Sequence, residues 1–218
     1  MMASGLLSLV TVVLSAAAWA GSPESEAAEC VDYGAYLRWV KQVDTFAHAR
    51  GIVVVGSHAY VADEESGLCV LDVSDPSASR MVGSINTPGD AYSVAVVRPY
   101  AYVADDEQGL QVVQIGDPED PRVIGGVDTP GRAYDVAVSG TRAYVADHGA
   151  GLEVLSVADP AHPRILSSLD TPGDAWGVAV SGLYVYVADY DAGLHVIDIK
   201  NTTAPVREGH LVAADSPG

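Results

Sequence analysis

Three observations predict an all-β fold, a β-propeller built from about four blades of four short strands each. The first is a segment that returns along the chain: AYVADEESGLCVLDVSDP from Ala59, AYVADDEQGLQVVQIGDP from Ala101, AYVADHGAGLEVLSVADP from Ala143 and VYVADYDAGLHVIDIKNT from Val185. Its tyrosines, Tyr60, Tyr102, Tyr144 and Tyr186, stand 42 residues apart. The second is a linking segment of the same period, SINTPGDAYSVAV at 84–96, GVDTPGRAYDVAV at 126–138 and SLDTPGDAWGVAV at 168–180. A strict period of this size means one supersecondary unit used repeatedly. The third is the content of a unit: four short runs rich in Val, Ile and Tyr, with no stretch long enough for an ordinary helix.

Within the unit that starts at Ala91, the runs are 91–97, 101–104, 110–115 and 122–128. Gly-Leu at 67–68, 109–110, 151–152 and 193–194 opens the third strand, and its glycine closes a short hairpin loop from the second. Asp-Pro at 75–76, 117–118 and 159–160 follows the third strand. Proline has no amide to donate, so the ladder stops there. Thr-Pro-Gly at 87–89, 129–131 and 171–173 follows the fourth strand. Proline then glycine suits a tight turn, placed where the chain crosses from the outer edge of one blade to the inner strand of the next.

These residues resemble the LVIVD repeat family, whose repeats read much like YVAD…GLxVxDVSDPxxPRxVGSxxTPGxAxxVAV. The likeness runs from Leu37 to Val206. It implies a β-propeller-like fold on a secreted or surface protein of bacteria or archaea, and it carries no catalytic residues onto this chain. After Ile199 the sequence KNTTAPVREGH departs from the pattern, lacking Asp-Pro and Thr-Pro-Gly.

The segment 37–58 aligns with 79–100, so the repeat domain, taken as 35–212, is expected to begin with a fourth-type strand near 37–45. That N-terminal strand would complete the last blade and close the ring, or nearly so. The alternative is an open arc, which exposes apolar blade faces and favours a homodimer.

Residues 1–20 are an apolar run ending in Ala18-Trp19-Ala20, which reads as a signal peptide. A retained membrane anchor is the rival reading. Residues 21–34 read as a flexible linker and 213–218 as a tail. The expected location is outside the cell or on its envelope, with no membrane insertion after the leader is removed. The formal charge of −18 repels nucleic acid and anionic lipid, and it favours cations or a basic partner. Cys30 and Cys69 are too few for a disulfide scaffold, though an exported chain could pair them. Cys69 shares its repeat position with Gln111, Glu153 and His195, a variable position read as blade surface.

Chemistry is left to the loops of one face. Asp63, Asp105, Asp147 and Asp189 recur there. An Asp ahead of a short loop accepts backbone hydrogen bonds and fixes the turn. The competing reading is calcium, with Asp191 as a further ligand, since calcium wants several carboxylate and carbonyl oxygens. His48, Asp90, Arg132 and Asp174 form a second set, followed by Tyr92, Tyr134 and Trp176. These vary from blade to blade, which suits recognition of a protein or carbohydrate partner, while packing between blades is the plain alternative. Asp135 is the one ionisable group at the position facing the hub, where the other units carry Gly51, Ser93 and Gly177. One carboxylate cannot build a catalytic calcium cage, and no hydrolase elbow, zinc-protease motif, phosphate loop or paired-cysteine motif is present. The reading is a non-enzymatic binding or surface-interaction module. A calcium-dependent hydrolase or lyase on the acidic face and a self-assembling structural ring are the alternatives.

Overall fold

The computed structural model describes residues 40–211. The leader, the linker with Cys30 and the tail lie outside them. Sixteen strands form four antiparallel sheets in simple up-and-down order. Blade 1 holds β1 (Gly51–Val55), β2 (His58–Ala62), β3 (Leu68–Asp72) and β4 (Arg80–Ile85). Blade 2 holds β5 (Ser93–Val97), β6 (Tyr100–Ala104), β7 (Leu110–Gln114) and β8 (Arg122–Val127). Blade 3 holds β9 (Asp135–Ser139), β10 (Arg142–Ala146), β11 (Leu152–Ser156) and β12 (Arg164–Leu169). Blade 4 holds β13 (Ala175–Ser181), β14 (Tyr184–Asp189), β15 (Gly193–Asp198) and β16 (Val206–Leu211).

The local chemistry repeats with the sequence. In every blade the register between third and fourth strands slips once, at Val70/Leu71, Val112/Val113, Val154/Leu155 and Val196/Ile197. Such a bulge sharpens the twist of the outer strand. The turns after the third strand are held by a side chain: Asp75, Asp117 and Asp159 each accept from the amide two residues on. Asn201 does the same for Thr203. The unit that departs from the repeat after Ile199 therefore keeps its turn, because Asn offers the same side-chain acceptor as Asp.

The core sits at the seams between blades. Tyr60, Ala62, Leu68 and Val70 of blade 1 pack on Val94, Ala101, Val103, Val113 and Ile115 of blade 2. The pattern repeats between blades 2 and 3 and between blades 3 and 4. No single sheet could bury both its apolar faces, so each depends on its neighbours.

Two expectations change. The last blade is completed by β16 of its own repeat, not by an N-terminal strand, and residues 40–50 form no strand. The short Asn201 turn brings β16 back onto β15 at little loop-closure cost, whereas a strand from the other end would have to span the whole arc. Nor does the ring close among the described residues. The inner strands pack in order, β1 on β5, β5 on β9 and β9 on β13, and among the described residues no comparable packing returns β13 to β1.

Candidate functional site

The recurring aspartates are buried and spent on structure. Asp105 accepts from the Thr87 hydroxyl and, through its other oxygen, from the Gly89 amide at 2.9 Å. Asp147 accepts from Thr129 at 2.6 Å and Gly131 at 2.7 Å. Asp189 accepts from Gly173 at 3.1 Å. Asp63 takes the amides of Phe46 and Ala47, both at 2.9 Å. Each carboxylate thus clamps the linker that enters its own blade from the preceding one. The reach is longer than the local turn that Asp propensity suggests. Burial raises the pKa of Asp105 and Asp147 against these stabilising bonds. Asp191, offered above as a further calcium ligand, is exposed.

The residue after each of the first three aspartates has a left-handed backbone: φ is 40° at Glu64, 49° at Asp106 and 47° at His148. That turn aims its amide and carbonyl at the next blade. Glu64 exchanges two backbone hydrogen bonds with Ala91, Asp106 with Ala133 and His148 with Ala175. The loop side chains are thereby set beside the inner-strand starts of the neighbouring blade.

On this face the second set forms a stack. Tyr92 and Tyr134 have ring centroids 4.8 Å apart, Tyr134 and Trp176 5.0 Å, and Trp176 and Tyr190 5.8 Å. The His148 ring stands edge-on to Tyr134 at 5.1 Å. Arg50 caps the other end, its guanidinium 5.4 Å from the centre of Tyr92. Successive blades supply successive rungs because the 42-residue period repeats one position around the hub. The rings are not ordinary core: Trp176 is 50% exposed and Tyr190 74%. Tyr190 is absent from the set read off the sequence. Its signal was an aromatic residue at the repeat position of Glu64, Asp106 and His148.

Charged pairs flank the stack. His48 meets Glu64 at 2.7 Å, and Arg50 also bonds Glu64. Arg132 reaches Asp106 at 2.9 Å, which holds its guanidinium still more firmly protonated. His148 lies 3.4 Å from Asp174, so the sign of this pair is reversed from one seam to the next. Asp90 has no such partner. Burial first, then Glu65, Asp106 and Glu64, raise its pKa from the ordinary carboxylate value. Asp135 spans three inner strands, accepting from Ser93 Oγ at 2.6 Å and from the amides of Val136 and Val178 at 2.9 and 2.8 Å. Its oxygens tie the hub together. His48, Glu64 and Glu65 bring one ligand atom each within 4.8 Å of one another, with Arg50 already bonded to Glu64.

The position read as blade surface is interior. Cys69 and Glu153 are fully buried, His195 is 1% exposed and Gln111 7%. Cys69, Glu153 and His195 each lie near their blade's clamping Asp, and Gln111 donates to the Gln108 carbonyl at 2.8 Å, so polarity there varies within the core. Cys69 Sγ is 3.7 Å from Asp63, and burial with that carboxylate pushes the thiol up to about 12. Cys69 is a free thiol, and Cys30 lies outside the described residues. His195 Nε2 sits 3.0 Å from Asp189. Burial drives the Glu153 carboxyl up to about 7, against a stabilising bond from Ser168 at 2.7 Å. A shallow hollow of about 460 Å³ lies against Ile85, Pro88, Arg122 and Val123, among residues separate from the aromatic stack.

The LVIVD repeat profile matches four consecutive segments, residues 47–87, 88–129, 130–171 and 172–211. The chain belongs to the LVIVD repeat family. A search of curated proteins finds no relative. Among solved structures, the arc resembles the computationally designed protein Ika8, with a TM-score of 0.61 and 8% identity over 74% of this chain. The match spans 49% of Ika8, about half its length. The designed Ika4 protein is similar with a TM-score of 0.61 and 7% identity over 74% of this chain, and there the match spans 98% of the designed protein. At such identities the likeness is one of fold.

Proposed function

We propose that this LVIVD-repeat protein is a non-enzymatic binding module, exported to the cell envelope or beyond, whose recognition surface is the aromatic stack and its acidic rim. The observation that carries the reading is the row Arg50, Tyr92, Tyr134, Trp176 and Tyr190, which draws one or two rungs from every blade and leaves its last two rings open to solvent. A rigid aromatic surface on a strand scaffold costs little entropy to present. The ligand class that fits is a protein segment bearing lysine or arginine. Exposed ring faces attract such cations, and the rim carboxylates Asp90, Glu65, Glu107 and Asp174 supply the opposing charge. Arg50 and Arg132 do not offset this, since each is already engaged with Glu64 or Asp106. Asp105 and Asp147 have both oxygens turned to threonine and glycine, which favours a structural role over calcium chemistry for these two.

The test is binding of the purified protein to an array of basic and neutral peptides beside a glycan array. Basic peptides are expected to bind, and Trp176→Ala or Tyr190→Ala to weaken them about tenfold without loss of melting temperature. Binding confined to glycans, or basic-peptide binding indifferent to both substitutions, would overturn the assignment.

A further inference from the structure

The two ends of the arc are the unmatched halves of the seam that this chain makes three times. On the inner strands, Val94, Val136 and Val178 receive the preceding blade and are 7%, 5% and 9% exposed. Ile52 holds the same repeat position in blade 1 and is 45% exposed, with Val54 beside it at 44%. At the other end, Tyr60, Ala62, Leu68 and Val70 of blade 1 are buried by blade 2, as are their counterparts in blades 2 and 3. In blade 4 the same positions are Tyr186, Ala188, Leu194 and Val196. Three of these are half-buried and Ala188 is exposed.

The backbone has the same gap. The two-way bridges of Glu64 to Ala91, Asp106 to Ala133 and His148 to Ala175 would continue as Tyr190 to a residue one blade further on. Tyr190 instead turns its amide to the Asp174 carbonyl at 2.8 Å. At the start of the arc, Ala49 holds the position of Ala91 and is exposed. The residue after it is already arranged as at the other seams: the Arg50 amide donates to Ala62, as Tyr92 does to Ala104 and Tyr134 to Ala146. The incoming linker is partly in place, since Val43 packs beside Ala59, Val61 and Leu71, and the amides of Phe46 and Ala47 occupy one oxygen of Asp63.

We propose that two copies of this chain close head to tail into one eight-bladed ring, blade 4 of each seated on blade 1 of the other. The occupant is a second copy because the two faces are complementary by repeat, each being one side of an interface the chain already makes with itself. Ala49, Ile52 and Val54 of blade 1 are open to it, whereas Ala59, Val61 and Leu71, the counterparts of Ala101, Val103 and Val113, are already buried beside Val43, which has to give way to blade 4 of the second copy. A head-to-tail contact either closes or grows into a filament, and we take closure at two copies as the case to test, since the arc superposes on about half (49%) of a longer designed chain. In the ring, Tyr186, Ala188, Leu194 and Val196 cover Ile52 and Val54 of the second copy, and Tyr190 bridges to its Ala49. Residues 40–43 and the end of β16 hold the same repeat position, so one of the two segments lines each new seam.

Light scattering on the purified protein is expected to give twice the mass of one chain. Ala188→Glu and Ile52→Glu each place an unpaired charge in the seam and should raise the dissociation constant about a hundredfold, with unchanged circular dichroism. An equimolar mixture of the two variants should regain dimer, because it contains one intact face of each kind. A monomer at all concentrations, an open series of larger species, a dimer insensitive to both changes, or no recovery on mixing would each overturn the proposal. A monomer whose melting temperature falls in Ala188→Glu would assign that face to another part of the same chain.

Discussion

Glu153 shows how one side chain can set the pH response of a β-core. Its folded carboxyl titrates at about 7, against 4.5 unperturbed, because burial penalises the charged form and Asp147 adds repulsion. The folded state therefore holds a proton that the unfolded chain has released between those values. Stability from this group is whole below about pH 4.5, declines as pH rises to about 7, and is lost above it. Glu153→Gln is expected to stabilise the protein by about 3 kcal/mol at pH 8 and by little at pH 4, read from urea unfolding at the two pH values. The turn aspartates Asp75 and Asp159 have pKa values lowered by their hydrogen bonds, so the stability they contribute is lost only as pH falls below the ordinary carboxylate value. Cys69 belongs to the same position. A buried thiol held up to about 12 should resist a disulfide reagent in the native protein and react at once in denaturant. Fast labelling without denaturant would contradict its placement.

At the scale of the element, the linker clamp explains why Asp and Thr-Pro-Gly recur together. The two motifs lie 16 to 18 residues apart in sequence and meet as Thr87 and Gly89 on Asp105. The glycine is required by space: a Cβ at Gly131 would lie 2.1 Å from the Asp147 carbonyl oxygen. Asp105→Ala removes a charged acceptor and leaves the Thr87 hydroxyl and the Gly89 amide unpaired. The expected cost is about 3 kcal/mol, measured by chemical unfolding, with Thr87→Val costing less because only one bond is lost. Equal stability of Asp105→Ala and the parent would show that the clamp is dispensable. This pairing was legible only in part. The period marked both motifs as structural, but their contact folds the incoming linker back onto the loop after the second strand of the blade it enters, which neither motif announces by itself.

For the whole molecule, strand number, blade number and the repeat boundaries followed from periodicity alone, since each 42-residue unit carries its own turn signals. The identity of the last outer strand did not. Val206–Leu211 keeps only enough of the motif to be read as a weak strand near 206–212, and its place as the outer strand of blade 4 is decided by the short turn at Asn201. The aromatic set was legible as Tyr92, Tyr134 and Trp176, because they share a repeat position. Tyr190 and His148 join them from a different position, and only the curvature of the arc brings the loops over the inner-strand starts. On this scale the recognition surface and the proposed ring meet at Tyr190, whose ring ends the stack and whose backbone reaches the seam, while the other aromatic rungs lie on the loop face. A dimer-breaking Ile52→Glu should leave basic-peptide affinity per site within about twofold, which equilibrium titration would measure.

By itself the sequence determined the repeating unit: strand patterning, turn chemistry and the apolar positions are local properties, written anew in each copy. Tertiary structure decided whether the ends meet, which variable position lies inside, and which rings touch. Those outcomes depend on the angle between neighbouring sheets, a property of packed faces that no single repeat contains.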